Sequence, residues 1–176
     1  MANGTLKVGE ITTSSGSGNI TIGSGVTLLT NTPAFEAYHS SVQTISDGST
    51  VKVSFDTEKF DTDSTYDAST SKFTPGVSGK YVIYTSINFL SDTSDKIEHC
   101  QIKIYKNGSP EASADSLLCS TWNVSRFHPF FSAVVESNTT DYFEIYVYLN
   151  VNSGDAKINS ISNNRYPTFG AYRIGA

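Results

Sequence analysis

The chain has 176 residues, 12 Lys and Arg against 17 Asp and Glu, and a formal net charge of -5. That length supports one domain with a real core and a short appendage, and excludes two full domains. The cations are scattered singly, so the electrostatic footprint of a nucleic-acid binder is missing, and no run approaches the ~20 apolar residues of a membrane span.

The opening MANGTLKVGE lacks a charged start followed by an apolar stretch, which predicts a protein made in a cytosol and not secreted. Asn-x-Ser/Thr triplets begin at Asn3, Asn19, Asn107, Asn123 and Asn138, and in a chain this rich in Ser, Thr and Asn they read as chance. Residues 1–32 carry short apolar pairs, Leu6 and Val8, Ile20 and Ile22, Val26 and Leu28, with Ile11 between, all separated by Gly and Ser. Such pieces pair as strands but bury no core alone. Ser14 to Gly18 reads as a flexible linker, whereas the recurrence of ITT and ITIGSG favours β-structure completed by neighbouring chains or by a docking surface. Even fully extended, ~30 residues span at most roughly 100 Å, so this segment is predicted to be an anchor or short stalk.

From Pro33 onward, evenly spaced strands with turn signals replace this texture, and no useful helical periodicity appears. The fold class is all-β. Strands are predicted at 34–39, 50–56, 72–74, 79–90, 97–106, 116–123, 126–136, 141–151 and 168–174. In TYDASTSKFTPGVSGKYVIY, Pro75 and Gly76 supply a turn, and Tyr81, Ile83, Thr85, Ile87 and Phe89 then fall on one face at period two. Asn107-Gly108 is the strongest tight-turn dipeptide. So many strands in one domain imply a sandwich or jelly roll. The predicted core includes Phe73, Tyr81, Ile83, Phe143, Ile145, Val147 and Phe169.

Chemistry-bearing residues are sparse. Cys100 alternates with Ile102 and Ile104, which predicts a buried free thiol, and neither Cys100 nor Cys119 sits in a metal-binding pattern. His39, His99 and His128 fall on separate predicted strands without a local nucleophile or carboxylate pattern. The acidic stretch DTEKFDTDSTYD, with Asp56, Glu58, Asp61, Asp63 and Asp67, fails the EF-hand pattern, since Tyr66 stands where Gly is needed and Lys72 where the Glu belongs. A solvated loop is expected there, with a calcium site as the minor alternative. No catalytic residue, cofactor or metal is predicted.

KFTPGVSGKYVIY, KIYKNGS, VVESNTTDYFEIYVYLN and TFGAYRIG together resemble the ordered landmarks of the complement C1q globular head, a tumour-necrosis-factor-like jelly roll. The resemblance covers residues 33–176, with Thr140-Asp141 where the family usually has Gly-Asp and Ala171 where it often has Gly. It implies a ten-stranded jelly roll that assembles as a compact trimer and binds other molecules through exposed loops such as Ser91 to Lys96 and Asn107 to Asp115. The Gly/Ser-punctuated start is similar to that of virion proteins of tailed bacteriophages, which implies a tail fibre, tail-associated or head decoration protein.

The tyrosines point to self-association independently. Opposite the inward set Phe143, Ile145, Val147, Leu149 and Val151, one strand carries Tyr142, Glu144, Tyr146 and Tyr148. Large amphipathic rings suit a subunit interface better than solvent. Tyr84 and Tyr172 are expected to extend that surface, so Tyr84, Tyr142, Tyr146, Tyr148 and Tyr172 form the predicted trimer interface. The expected partners are two further copies of the chain, other virion proteins through residues 1–32, and a host surface receptor at the loops. The expected location is the virion, after synthesis in the host cytoplasm. A cellular C1q-like module that recognises carbohydrate or protein is the alternative.

Overall fold

Alternation of apolar and polar side chains turns the second part of the chain into strands, and the apolar halves meet in one core. The computed structural model describes residue 24 and residues 32–93, 97–117, 124–161 and 166–175. The chain divides into two units, Met1–Asn31 and Thr32–Ala176, and the fold below is that of the second. The anchor residues Leu6, Val8, Ile11, Ile20, Ile22, Val26 and Leu28 lie outside the described residues.

The described residues contain β1 (Ala34–Tyr38), β2 (Gln43–Thr44), β3 (Ser49–Lys52), β4 (Thr57–Asp61), β5 (Tyr66–Asp67), β6 (Lys72–Phe73), β7 (Gly79–Ser86) and β8 (Phe89–Ser91). They continue with β9 (Ile97–Lys106), β10 (Ser109–Leu117), β11 (Arg126–Phe127), β12 (Phe130–Ser137), β13 (Phe143–Val151), β14 (Ala156–Ile158) and β15 (Thr168–Gly175). One sheet runs β12-β7-β15-β1-β4, a second runs β10-β9-β13-β6-β5 with β3 also on β13, and a small third runs β11-β8-β14-β2. All pairings are antiparallel.

The inward faces form the core. Phe73, Tyr81, Ile83, Phe143, Ile145, Val147 and Phe169 are all fully buried there. Aromatic rings join the two large sheets: Phe35 of β1 stacks on Tyr66 of β5 and Phe73 of β6, with centroids 4.5 and 4.6 Å away, and meets Phe169 of β15 edge-on at 4.8 Å. The Tyr66 hydroxyl donates to the Phe55 carbonyl at 2.6 Å, so the buried phenol is satisfied.

Several predicted boundaries are corrected. The strand expected across 79–90 breaks after Ser86, and the one across 126–136 breaks at His128 and Pro129. The Ile87 N–H donates to the Pro129 carbonyl at 3.1 Å, so both chains leave the first sheet and enter the third at the same level. Pro129 has no N–H to offer, which suits the interruption of the ladder. The strand expected at 116–123 is β10 instead, starting directly after the Asn107-Gly108 turn, and residues 118–123 lie outside the described residues. Both turn residues have positive φ, 53° and 79°, the conformation of a two-residue hairpin loop. The stretch Asn107 to Asp115, expected to be a binding loop, is therefore this hairpin and most of its return strand.

Candidate functional site

The exteriors of the two large sheets differ in character. On the first sheet the inward residues Phe35, Ala37, Ile83, Thr85, Phe169 and Ala171 are buried, which sends their alternates outward. The outward side exposes Phe130 (65%), Val134 (61%), Ile174 (51%), Tyr172 (45%) and Phe60 (41%). These large apolar side chains come from β12, β15 and β4, so they span the whole width of the sheet.

Tyr84 of β7 ties this face together. Its ring centroid lies 6.5 Å from Phe130 and 6.4 Å from Tyr172, and its hydroxyl donates to Glu36 Oε2 at 3.0 Å. Lys59 Nζ sits 2.8 Å from Glu36 Oε1. Burial, followed by the neighbouring Glu36 carboxylate, pushes the Tyr84 phenol above its ordinary range and keeps it a donor. Its ring lies directly over Gly170, where a Cβ would overlap the phenol. Gly170→Ala is therefore expected to lower stability by about 1–3 kcal/mol. In a Tyr84→Ala background the same substitution should cost much less, a coupling that a double-mutant cycle in urea unfolding reads directly.

The second sheet's exterior is polar and internally paired. Tyr146 stacks on Tyr105 across β13 and β9 with centroids 4.0 Å apart, Tyr148 packs on His99 at 5.0 Å, and Lys72 Nζ stands 4.2 Å from the Tyr142 ring centre. Glu144, on the same side, is buried against Lys52 Nζ at 2.9 Å. Lys103 donates to Thr50 Oγ1 at 3.1 Å, and Asp115 accepts from Gln101 at 3.0 Å and meets His99. These tyrosines serve as cross-strand partners, a role worth about 0.2–1 kcal/mol per pair.

The five tyrosines expected to form one interface therefore divide. Tyr84 and Tyr172 share the apolar exterior of the first sheet, whereas Tyr142, Tyr146 and Tyr148 look outward from the second, on the opposite side of the sandwich. Period two assigns a residue to a face of its strand, but the sheet that the strand joins is settled by long-range pairing. Phe130, Val134, Ile174 and Phe60 were missed as surface residues. The signal was present in β12, where Phe130 and Val134 alternate with Phe131, Ala133 and Val135, a strand apolar on both sides.

Among the described residues, the other candidates do not assemble into a reaction centre. His39 is buried at the end of β1, His99 belongs to the second sheet's exterior, and His128 is exposed between β11 and β12. In the acidic stretch, Asp56 accepts from the Ser40 N–H and hydroxyl, while two other carboxylates are engaged locally. Asp61 accepts from Thr65 Oγ1 and the Tyr66 N–H, and Asp67 from Ser69 and Thr70, which hold the Asp67 carboxyl down at about 2. Among the described residues no three His, Cys, Asp or Glu side chains gather as metal ligands. Cys100 is a buried free thiol whose pKa burial pushes up to about 12, with Asp115 adding to the shift, and Cys119 lies outside the described residues. An open groove of about 340 Å³ is lined by Gly79, Lys80, Lys106, Glu136, Ser137 and Asn138. Its Lys106 is engaged by Asp141 Oδ2 at 3.0 Å and by the Glu136 carbonyl at 2.8 Å. The Asn138 N–H, the Asn107 amide and Lys106 hold the Asp141 carboxyl at about 2.

Among solved structures, the chain superposes on Eiger TNF from S. frugiperda with a TM-score of 0.55 at 12% identity, covering 82% of this chain and 92% of that one. The globular domain of zebrafish complement 1qA gives 0.55 at 15% identity, with 81% and 97% covered. The fold is a C1q/TNF-like jelly roll. Murine APRIL matches at 0.55 and 10% identity, covering 81% of this chain and 99% of the other. No family model and no curated protein matches the sequence. Within this C1q/TNF-like frame, β8 and β11 carry the broken ends of β7 and β12 into the small third sheet. Those two breaks account for two of the five segments by which the fifteen strands of the described residues exceed the ten that the resemblance implied.

Proposed function

We propose that this chain is a structural and attachment protein of a tailed-bacteriophage virion. Its C1q/TNF-like domain associates as a homotrimer through the exterior of the first sheet, and residues 1–32 join it to other virion proteins. The observation that carries this reading is the outward set Phe130, Val134, Tyr172, Ile174 and Phe60 on one sheet. An exposed apolar set of this kind marks an interaction surface, with Phe60 set apart from the rest by the Glu36–Lys59 pair, and identical copies in closed symmetry can cover it on every subunit at once. The opposite exterior has its rings and charges paired within the chain, and in the trimer it would remain outside, free to meet a host surface.

The virion assignment is supported by the Gly/Ser-punctuated start, whose apolar pairs need partner strands. The chemistry of the described residues suits a binding module without a reaction step. Light scattering of the full chain after size exclusion should return three times the chain mass, and a monomer mass at tens of micromolar would retire the trimer. Mass spectrometry of purified particles of the virus that encodes the chain should find it as a stoichiometric component. Its absence from the particles would leave the trimeric binding module standing and remove the virion role.

A further inference from the structure

The Asn107-Gly108 turn carries a reactivity that neither the hairpin nor the subunit interface uses. In an Asn-Gly pair the backbone nitrogen of the glycine can close onto the side-chain carbonyl carbon of the asparagine, and the missing Cβ leaves that approach open. The Gly108 N–Cγ bond forms, the Cγ–Nδ2 bond breaks, and Nδ2 leaves as ammonia with the proton given up by the Gly108 nitrogen. Water then opens the cyclic imide at either carbonyl, which leaves aspartate or isoaspartate in place of Asn107.

Both residues are exposed, and their positive φ angles of 53° and 79° set the tight loop between β9 and β10. The Asn107 carboxamide, however, is gripped at both ends. Its Nδ2 donates to Asp141 Oδ1 at 2.7 Å, and its Oδ1 accepts the Tyr142 N–H at 3.0 Å. The partners assign the two ends, since a carboxylate only accepts and a backbone N–H only donates. The Asn107 N–H also donates to the Tyr142 carbonyl at 3.0 Å, so the side chain and the N–H of Asn107 engage the same neighbour. To meet the Gly108 nitrogen, the carboxamide must leave both partners and turn toward the carbonyl side of its own residue. Among the described residues no backbone bond engages the Gly108 N–H, so the grip on the side chain is what keeps the reacting atoms apart.

Asp141 is itself held in place. It is 6% exposed, and its second oxygen takes the Asn138 N–H at 2.7 Å and Lys106 Nζ at 3.0 Å. With its pKa held at about 2, it is an acceptor wherever the cyclisation runs. It lies in the β12–β13 connection, so the grip ties the β9–β10 hairpin to the start of β13.

We propose that Asn107 is a deamidation site that Asp141 and Tyr142 hold shut in the folded chain, with water as the co-reactant, and that its reaction keeps the hairpin from closing as before. The site opens when the hairpin parts from the start of β13. Aspartate at position 107 sets a second carboxylate against Asp141 where an amide N–H had been, and like charges at that distance repel. Isoaspartate adds a carbon to the backbone of a two-residue loop as well. Because the change is irreversible, it marks every subunit that has opened and reacted.

The full chain is incubated in mildly alkaline buffer with and without denaturing urea. Mass spectrometry follows the peptide that holds Asn107, and enzymatic methylation scores isoaspartate. Modification in the folded chain should be at least about tenfold slower than in urea, by a margin set by local opening. Protection of the Tyr142 N–H against hydrogen exchange should match that slowing to within about tenfold, because one opening frees both groups. In buffer, Asp141→Ala should speed the modification at least about fivefold through loss of the acceptor. Asn107→Asp should lower the folded-to-unfolded ratio at neutral pH by about tenfold or more. Equal rates with and without urea, or a freely exchanging Tyr142 N–H, overturn the proposal even if Asp141→Ala fails to fold. A folded Asp141→Ala chain that reacts as slowly as wild type, or an Asn107→Asp chain as stable as wild type, would do the same.

Discussion

On the proposed trimer, replacing Phe130 and Val134 with glutamate is expected to leave a folded monomer. Both side chains stand on the outward side of β12, 65% and 61% exposed, so the isolated subunit loses little packing there beyond the contact of Phe130 with Tyr84. Exposed substitutions of this kind change subunit stability by about 0.5 kcal/mol or less. At a closed interface the same carboxylates would be stripped of water in every subunit. Desolvation costs several kcal/mol per unpaired ion, and each 1.4 kcal/mol is tenfold in the association constant. Light scattering should show one third of the wild-type mass, with the β-sheet circular dichroism retained. The matched control is the triple change of Tyr142, Tyr146 and Tyr148 to Ala on the other sheet. It removes the ring contacts with Lys72, Tyr105 and His99, costs a few tenths to about 1 kcal/mol per pair, and should leave the mass unchanged. The reverse pattern would move the interface to the second sheet. Unchanged mass in both variants would mean that neither exterior holds the copies together.

That experiment also marks the boundary of what the sequence could tell. The alternation of Tyr81, Ile83 and Thr85 and of Cys100, Ile102 and Ile104 was legible, because one buried side in a two-residue repeat leaves a direct trace. The Asn107-Gly108 hairpin was legible for a backbone reason, since few other residue pairs tolerate two successive positive φ angles. Edge strands left weaker traces. β4 runs through TEKFD at the margin of the first sheet with Glu58, Lys59 and Phe60 exposed, so its composition read as an acidic loop. β10 presents only small residues, Ala112 and Ala114, opposite Ile104 and Ile102. The interface was half legible. That Tyr84 and Tyr146 point away from the core followed from their neighbours, but the side of the molecule each faces depends on partners more than 20 residues distant. Glu144 shows the same limit: its position reads as solvent, yet Lys52, brought over by β3, covers it.

Phe35→Ala is expected to have the largest effect on stability of any single substitution considered, about 3–5 kcal/mol out of the roughly 5–15 kcal/mol that holds a domain of this size. The ring is fully buried and touches both large sheets, stacking on Tyr66 and Phe73 of the second and meeting Phe169 of the first edge-on. Its removal leaves a void between rings that are themselves held, since the Tyr66 hydroxyl is fixed to the Phe55 carbonyl and Phe73 is wedged between Phe35 and Tyr81. Such a site collapses poorly, which places the cost in the upper part of the range for large-to-small changes. The urea midpoint should fall with the slope unchanged, while Phe60→Ala, on the exposed side of the adjoining β4, should move it little. A cost below about 1 kcal/mol would show that the sheets are joined elsewhere. The consequence reaches the surface as well. β1 lies between β15 and β4 in the sheet that carries Phe130, Val134 and Tyr172, so a loosened Phe35 gives that face a mobile backing. Association should weaken in Phe35→Ala even under conditions where the chain stays folded, although no residue of the apolar exterior has been changed.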